Sequence, residues 1–334
     1  MKNALQVGTA GWASSWVPFY EKSGAWKLGG VVSRSPQALE SFHQKHGRDM
    51  RGYTDYAEAL QGDYDAVVIS APHHVHVPLA IQALAAGKPV LVEKPLADSF
   101  ASALELAKIA RQTSGLVMVS QNFRYREPLW QLRATCRELG TISALRVEMV
   151  QEYAPYLVNV ARKNRVSSLL EEVFIHQADQ ARFILGANPV RVFTQAWADR
   201  WDESGQANNA DVLVEFTNGT RFSYHGSWSS RGAKTTWAGT WRVRAEHGTI
   251  DWDGGEQGGL TLHPQKDTVI KLQDPVGFPG FDRIGVLREF SAAIDERRQP
   301  ACSLADNLWS FGMVAAAVMS LEQRRPVAMA ELLT

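Results

Sequence analysis

Leu5-Gln6-Val7-Gly8-Thr9-Ala10-Gly11-Trp12-Ala13 is the stretch on which the fold of this 334-residue chain turns. A short apolar run ends in a glycine and passes into a helical stretch, which places backbone N–H groups at a strand-to-helix turn where an anion such as a pyrophosphate can be received. Against the pattern G-x-G-x-x-G, Gly8 is kept, while Ala10 and Ala13 replace the second and third glycines. Taken alone the nine residues fit a dinucleotide turn and a merely tight βα turn equally. Their position in the alternation that follows favours the dinucleotide turn.

That alternation runs through the first third of the chain. Leu5–Val7, Leu28–Val32, Ala66–Ser70, Pro89–Val92 and Leu116–Ser120 read as near-continuously apolar strands, with helical stretches at Pro36–Lys45, Val77–Ala86 and Phe100–Arg111 between them. Strands covered on both faces and separated by crossover helices imply a parallel, doubly wound α/β (Rossmann) domain over residues 1–121. Beyond Asn122 the pattern changes. Val212, Val214 and Phe216 alternate with Asp211, Leu213 and Glu215, the mark of an open, mainly antiparallel sheet with one wetter face. Asn218-Gly219 between two such runs predicts a hairpin closed by a type I′ turn. Helices are expected at Ser168–Leu185, ending in Gly186, and at Leu304–Gln323, so residues 122–334 read as an α+β substrate-binding and oligomerisation domain whose last helix is free to pack back on the first.

Composition bounds the function. At about 150 residues per domain, the length implies two domains. Hydrophobic residues make up 45% and charged residues 21%, with 35 Lys plus Arg against 35 Asp plus Glu and no block of like charge, so nothing electrostatic advertises a nucleic-acid or membrane partner. Cys136 and Cys302 stand apart from each other and from any zinc-like cluster, which fits a reducing compartment. No apolar run of signal-peptide or membrane-span length is evident, and a cytoplasmic location is expected.

The remaining candidates lie at strand ends and on one helix. After the second strand, Ser33-Arg34 stands where an NAD site carries a carboxylate for the ribose 2′-hydroxyl. These two suit a 2′-phosphate, favouring NADP(H) over NAD(H), and they equally suit a solvated turn. Pro72-His73-His74-Val75-His76 follows the third strand, where its histidines read as pocket residues or as helix-start filler; no further ligands of zinc spacing accompany them, and no metal is expected. Glu93-Lys94-Pro95 closes the fourth strand at the carboxyl edge where open α/β sheets place ligands. A lysine there could donate to a substrate oxygen, whereas an isolated loop lysine is ordinarily a surface residue. On the later helix, with Glu172 at zero and about 100° per residue, His176 falls at about 40° and Asp179 at about −20°, away from the stripe of Leu170, Val173, Ala181 and Ile184. By spacing alone that polar face reads as solvated surface before it reads as a cleft, although a histidine between carboxylates could be a general base. Six of the 11 tryptophans, Trp197, Trp201, Trp228, Trp237, Trp241 and Trp252, fall in the antiparallel region, as core, as platforms for sugar rings or as a subunit interface.

Together the turn Gly8–Ala13, Ala71-Pro72 with His76, Glu93-Lys94-Pro95, Arg124 in Asn122-Phe123-Arg124-Tyr125, His176 with Asp179, and the closing Phe290 and Ala305-Asp306-Asn307 resemble the family of glucose–fructose oxidoreductase, inositol dehydrogenase and the rhizopine-catabolism proteins, over nearly the whole chain. The resemblance implies an NAD(P)-dependent oxidoreductase that interconverts carbinol and ketone on a sugar or polyol. Lys94 would bind the reacting oxygen and His176 would exchange its proton, with Glu172 beside them; Asp179, Arg124 and Tyr153 would contact substrate. The dinucleotide would lie on Gly8, Thr9, Ala10, Gly11, Trp12, Ala13, Ser33, Arg34, Ala71, Pro72, His73, His76, Glu93, Lys94 and Pro95. A homodimer or homotetramer is implied, and the family also holds non-catalytic dinucleotide-binding regulators. Glu172 stands where the family often has Asp, Phe174 where it often has Gly, and His73 where Asn is common.

Overall fold

The computed structural model describes residues 1–153 and 167–333. By internal contacts the chain divides into two compact units, Met1–Tyr125 with Pro279–Leu308, and Arg126–Phe278 with Trp309–Thr334.

The first unit is built on strands β1 (Lys2–Val7), β2 (Trp26–Val32), β3 (Arg51–Tyr53), β4 (Ala66–Ile69), β5 (Val90–Glu93) and β6 (Val117–Ser120), in the order β3-β2-β1-β4-β5-β6. Every pairing is parallel. β4, β5 and β6 are buried at every residue, as sheets covered on both faces require. Helices α1 (Gly11–Ser14), α2 (Val17–Ser23), α3 (Pro36–His46), α4 (Tyr56–Leu60), α5 (His76–Ala85) and α6 (Phe100–Gln112) make the connections. Ser35, Asp55 and Ser99 cap α3, α4 and α6 by accepting from backbone N–H groups of the first turn. β3, α2 and α4 are not foreseen from the sequence, because three to seven residues are too few to show a period. Pro279–Leu308 groups with this unit and not with the rest of 122–334. Its helix, Asp282–Asp295, packs on α2; Trp26 stacks on Phe290 at 5.4 Å and donates its indole N–H to Leu287 O at 2.8 Å.

The second unit carries α7 (Glu127–Cys136), β7 (Ile142–Val150), α8 (Ile175–Leu185), β8 (Pro189–Trp197), β9 (Asn209–Phe216), β10 (Arg221–Ser227), β11 (Thr240–Ala245), β12 (Gly248–Trp252), β13 (Leu260–Pro264) and β14 (Val327–Ala328). The strand order is β13-β12-β11-β7-β10-β9-β8-β14. All neighbours are antiparallel except β7 and β10, so the sheet is mixed. Val212, Val214 and Phe216 are buried and Leu213 is 55% exposed, as the alternation requires. The hairpin differs from expectation in its turn. Phe216 N–H donates to Thr220 O and Gly219 N–H to Phe216 O, which leaves three residues in the loop, and only Gly219 has a positive φ (83°). A type I turn closed by a left-handed glycine needs one such residue where type I′ needs two.

Leu304–Gln323 forms the expected helix. Contrary to the sequence reading, it is long and apolar enough to cross a membrane; 61% of its apolar window is buried inside the protein, as in a core helix.

Candidate functional site

Strand register assembles one edge of the first unit. Val7 pairs with Val32 and with Ile69, Ile69 with Val92, and Glu93 with Ser120. The residues that follow these strands therefore stand in a row: Ser33-Arg34, Gly8, Ser70-Ala71 and Lys94.

Gly8 is the residue the turn cannot exchange. Its φ is +117°, and a Cβ would lie 2.9 Å from Ser70 O. Ala10 has φ −69°, open to any residue, and Ala13 is buried, so the replaced glycines do not disturb the turn. At Gly11 a Cβ would meet nothing within 4 Å, and Ala10, Gly11 and Trp12 are exposed. The turn thus leaves open room over its N–H groups, as a bound phosphate requires. Gln6 braces it from below, a role the sequence reading missed although a glutamine inside an apolar strand was its signal. The Gln6 amide donates to Gly8 O (3.0 Å) and Ala13 O (3.2 Å) and accepts from the Tyr20 hydroxyl (3.0 Å), the last two bonds being fully buried. Gln6→Leu should lower stability by about 2–3 kcal/mol, because it strands the Tyr20 hydroxyl and weakens both carbonyl bonds; an unchanged denaturant midpoint would refute the brace.

Arg34 is exposed and has no hydrogen-bond or ion-pair partner among the described residues, while Ser33 N–H is tied to Tyr53 O at 3.0 Å. No carboxylate stands at this strand end. Pro72 precedes a short turn, His73–Val75, in which His73 and His74 meet edge to face at 6.3 Å. His76 opens α5 one residue before the expected start. It is buried, with ring nitrogens 3.0 Å from Pro95 O and 2.8 Å from Ala71 O, so it braces two loops and is not a filler. Burial pushes its pKa down. Among the described residues no group of three or more His, Cys, Asp or Glu side chains could hold a metal.

Glu93 is buried, and its carboxylate accepts from the Trp16 indole at 2.8 Å and from Lys94 N–H at 3.0 Å. Burial pushes its carboxyl up, opposed by the Trp12 indole, the Lys94 charge and the Trp16 indole. Lys94 itself is half-buried. Arg124, expected against substrate, is buried and forms ties within this unit. It donates to Ala301 O at 2.6 Å and to Asp306 at 2.8 Å, since a buried guanidinium requires partners.

In the second unit the helix over 168–185 overturns the solvated-face reading. Every residue from Ile175 to Ile184 is buried, including His176 (7% exposed) and Asp179 (1%). Leu170–Phe174 is a π-helical turn, so the 100° spacing does not carry from Glu172 to His176. Glu172 is half-buried within that turn. The Ser310 hydroxyl donates to Asp179 Oδ1 at 3.0 Å and accepts from Arg182 Nη1 at 3.0 Å, while Arg182 also donates to Asn188 Oδ1. Ser310 and Arg182 were not expected; nothing in sequence spacing joins residues 131 apart. Phe174, which stands where the family often has Gly, is fully buried against Tyr224 (4.8 Å) and Phe222 (6.5 Å) in the sheet core. Tyr153 lies among aromatic rings, 4.9 Å from Trp228 and 5.7 Å from Trp237, whose carbonyl accepts from Gln177 on α8. Of the six tryptophans, Trp228, Trp241 and Trp252 are core, and Trp197, Trp201 and Trp237 are exposed.

Two stretches of the chain match known family models. Residues 2–121 match the oxidoreductase family with an NAD-binding Rossmann fold, and residues 131–251 match the GFO/IDH/MocA C-terminal domain. The chain is 24% identical to inositol 2-dehydrogenase of Rhizobium meliloti, over 91% of this chain and 92% of that one. It is 23% identical to 1,5-anhydro-D-fructose reductase of Ensifer adhaerens, over 93% and 94%. An oxidoreductase from Agrobacterium radiobacter, solved in complex with NAD+, L-tartaric acid and magnesium, shares the fold with a TM-score of 0.84 at 21% identity, covering 99% of both chains. Those two family matches, one over the parallel Rossmann sheet and one over most of the mixed sheet, make this chain a member of the GFO/IDH/MocA family of NAD-binding oxidoreductases.

Proposed function

We propose that the protein is a dehydrogenase or reductase of a sugar or polyol that uses NADP(H) in preference to NAD(H). The observation that carries the reading is the row of loops at one sheet edge, in which the open Gly8 turn stands between the free Arg34 and the Lys94 loop. The residues present fit a dinucleotide. The N–H groups of Gly8–Ala13 would hold the pyrophosphate and Arg34, with Ser33, the 2′-phosphate. Ala71, Pro72 and Lys94 would flank the nicotinamide end. When bound, that ring supplies hydride acceptor and donor chemistry.

The chain's own residues supply the rest. The Lys94 ammonium donates to the reacting oxygen and offsets negative charge that develops there. His176 Nε2 takes the hydroxyl proton on oxidation and returns it on reduction, since Nδ1 is shut off from solvent. Asp179, one turn on and almost fully buried, acts on the field around the histidine; its Oδ1 already receives the Ser310 hydroxyl. Relatives that act on inositol and on anhydrofructose support a polyhydroxylated substrate.

Calorimetric titration with NADPH and NADH tests the cofactor assignment. NADPH should bind the more tightly, and Arg34→Asp should weaken it by about tenfold or more through loss of a charge-assisted contact. Equal affinities unaffected by the substitution would remove Arg34 from the site. Binding of neither cofactor would overturn the proposed function.

A further inference from the structure

The helix that follows the glycine turn is broken. α1 runs for only four residues, Gly11–Ser14, and α2 starts at Val17. Pro18 accounts for the break: it has no N–H to give to the Ser14 carbonyl, so the ladder cannot run on through Ser15 and Trp16. A dinucleotide turn ordinarily borrows positive charge from the aligned peptides of the helix behind it. Four residues align too few peptides to lend much.

A cation stands at the break. Arg283, on the helix Asp282–Asp295 of the same unit, is 8% exposed, and its guanidinium lies 4.8 Å from the Trp12 ring, 5.6 Å from Trp16 and 4.1 Å from Phe19. Nη1 donates to the Ser15 hydroxyl at 2.7 Å, and that hydroxyl donates to Trp12 O at 2.6 Å, which ties the charge to the turn. Among the described residues Arg283 makes no other hydrogen bond. Its Nε is buried without one; the Asp282 carboxylate, 3.6 Å away, is beyond hydrogen-bond length and receives the Asn122 amide on its other oxygen at 2.6 Å. A guanidinium carries several N–H donors, so this one, buried with a single bond in use, is a cation still short of acceptors.

We propose that Arg283 is a positioning residue for the dinucleotide, supplying at the Gly8 turn the positive charge that the broken helix does not, and so holding the pyrophosphate over Gly8–Ala13. The proposal rests on the reading of that turn as the dinucleotide site. The three rings fix the guanidinium by cation–π contact, and the tie through Ser15 to Trp12 O keeps turn and charge in register. Arg34 and Arg283 then serve different phosphates. The first follows β2 and takes the 2′-phosphate; the second stands behind the turn that follows β1 and takes the pyrophosphate.

The test is calorimetric titration of the cofactor-free, full-length chain with two probes: 2′-phospho-ADP-ribose, which carries the pyrophosphate, and adenosine 2′-monophosphate, which lacks it. Arg283→Met keeps an unbranched chain over the rings and removes the charge. It should raise the Kd of 2′-phospho-ADP-ribose by about tenfold and flatten its dependence on salt, while the Kd of adenosine 2′-monophosphate stays within about twofold. Arg283→Lys, which keeps the charge, should recover most of the loss. Equal affinity of the parent and Arg283→Met for 2′-phospho-ADP-ribose would overturn the proposal. An equal loss for both probes, or no recovery with lysine, would mean that Arg283 only packs and would overturn it as well. Should Arg283→Met fail to fold, Arg283→Lys decides: a Kd for 2′-phospho-ADP-ribose within about threefold of the parent is expected, and a loss of about tenfold refutes the role of charge. Arg34→Asp should weaken both probes, because both carry the 2′-phosphate, so the two assignments fail separately. A parent chain that binds neither probe removes the dinucleotide site, and this proposal with it.

Discussion

His176→Asn is expected to reduce kcat by about 10²-fold or more on whichever polyol or sugar supports turnover, with NADPH affinity unchanged. Asparagine retains a polar side chain of similar reach but cannot carry a proton near neutral pH. Packing gives the same expectation. His176 is 7% exposed on a helix buried from Ile175 to Ile184, so little solvent reaches the imidazole to take over its proton transfer. Its surroundings on α8 are polar without being metal-like: Asp179 is tied through Ser310 to Arg182. Steady-state rates across a panel of polyols, alongside NADPH titration of the same preparation, check it. Rates close to those of the parent protein would remove His176 as proton carrier, and with it the mechanism proposed above.

Gly8→Ala should cost about 3 kcal/mol of stability and abolish dinucleotide binding, whereas Gly11→Ala should leave stability intact and weaken binding alone. At Gly8 two penalties coincide. The backbone is at φ +117°, where a Cβ is strained, and that Cβ would meet Ser70 O at 2.9 Å, Ser70 C at 3.0 Å and Ala71 N at 3.1 Å, backbone atoms of the neighbouring strand end that cannot swing aside. At Gly11 a Cβ meets no protein atom within 4 Å, so only a ligand seated on the turn can feel it. Thermal unfolding and NADPH titration of the two variants separate the cases. If Gly11→Ala bound NADPH as the parent does, the open room at the turn would not be the pyrophosphate site.

Local spacing carried much of this protein. The apolar runs around β1, β4, β5 and β6 were legible because burial on both faces demands continuous hydrophobicity, and the helical stretches between them completed the alternation. Their carboxyl ends then put Gly8, Arg34, Ala71 and Lys94 along one edge, as the register confirms. The same logic failed at α8. Period alone put Glu172, His176 and Asp179 on a wet face, yet the helix is buried on every side and begins in a π-turn, because its polar residues find partners in other elements.

The sequence by itself determined the Rossmann alternation, the hairpin in β9 and β10, and the positions at which chemistry-bearing residues leave the strands, since all of these follow from periods of two and 3.6 residues and from turn chemistry read over neighbouring positions. Tertiary structure alone decided which polar groups are paired. Gln6 under the glycine turn, Trp16 on Glu93, Arg124 on Asp306 and Ser310 on Asp179 join residues that no local period connects, and a buried hydrogen bond depends on position in space, where sequence separation carries no information.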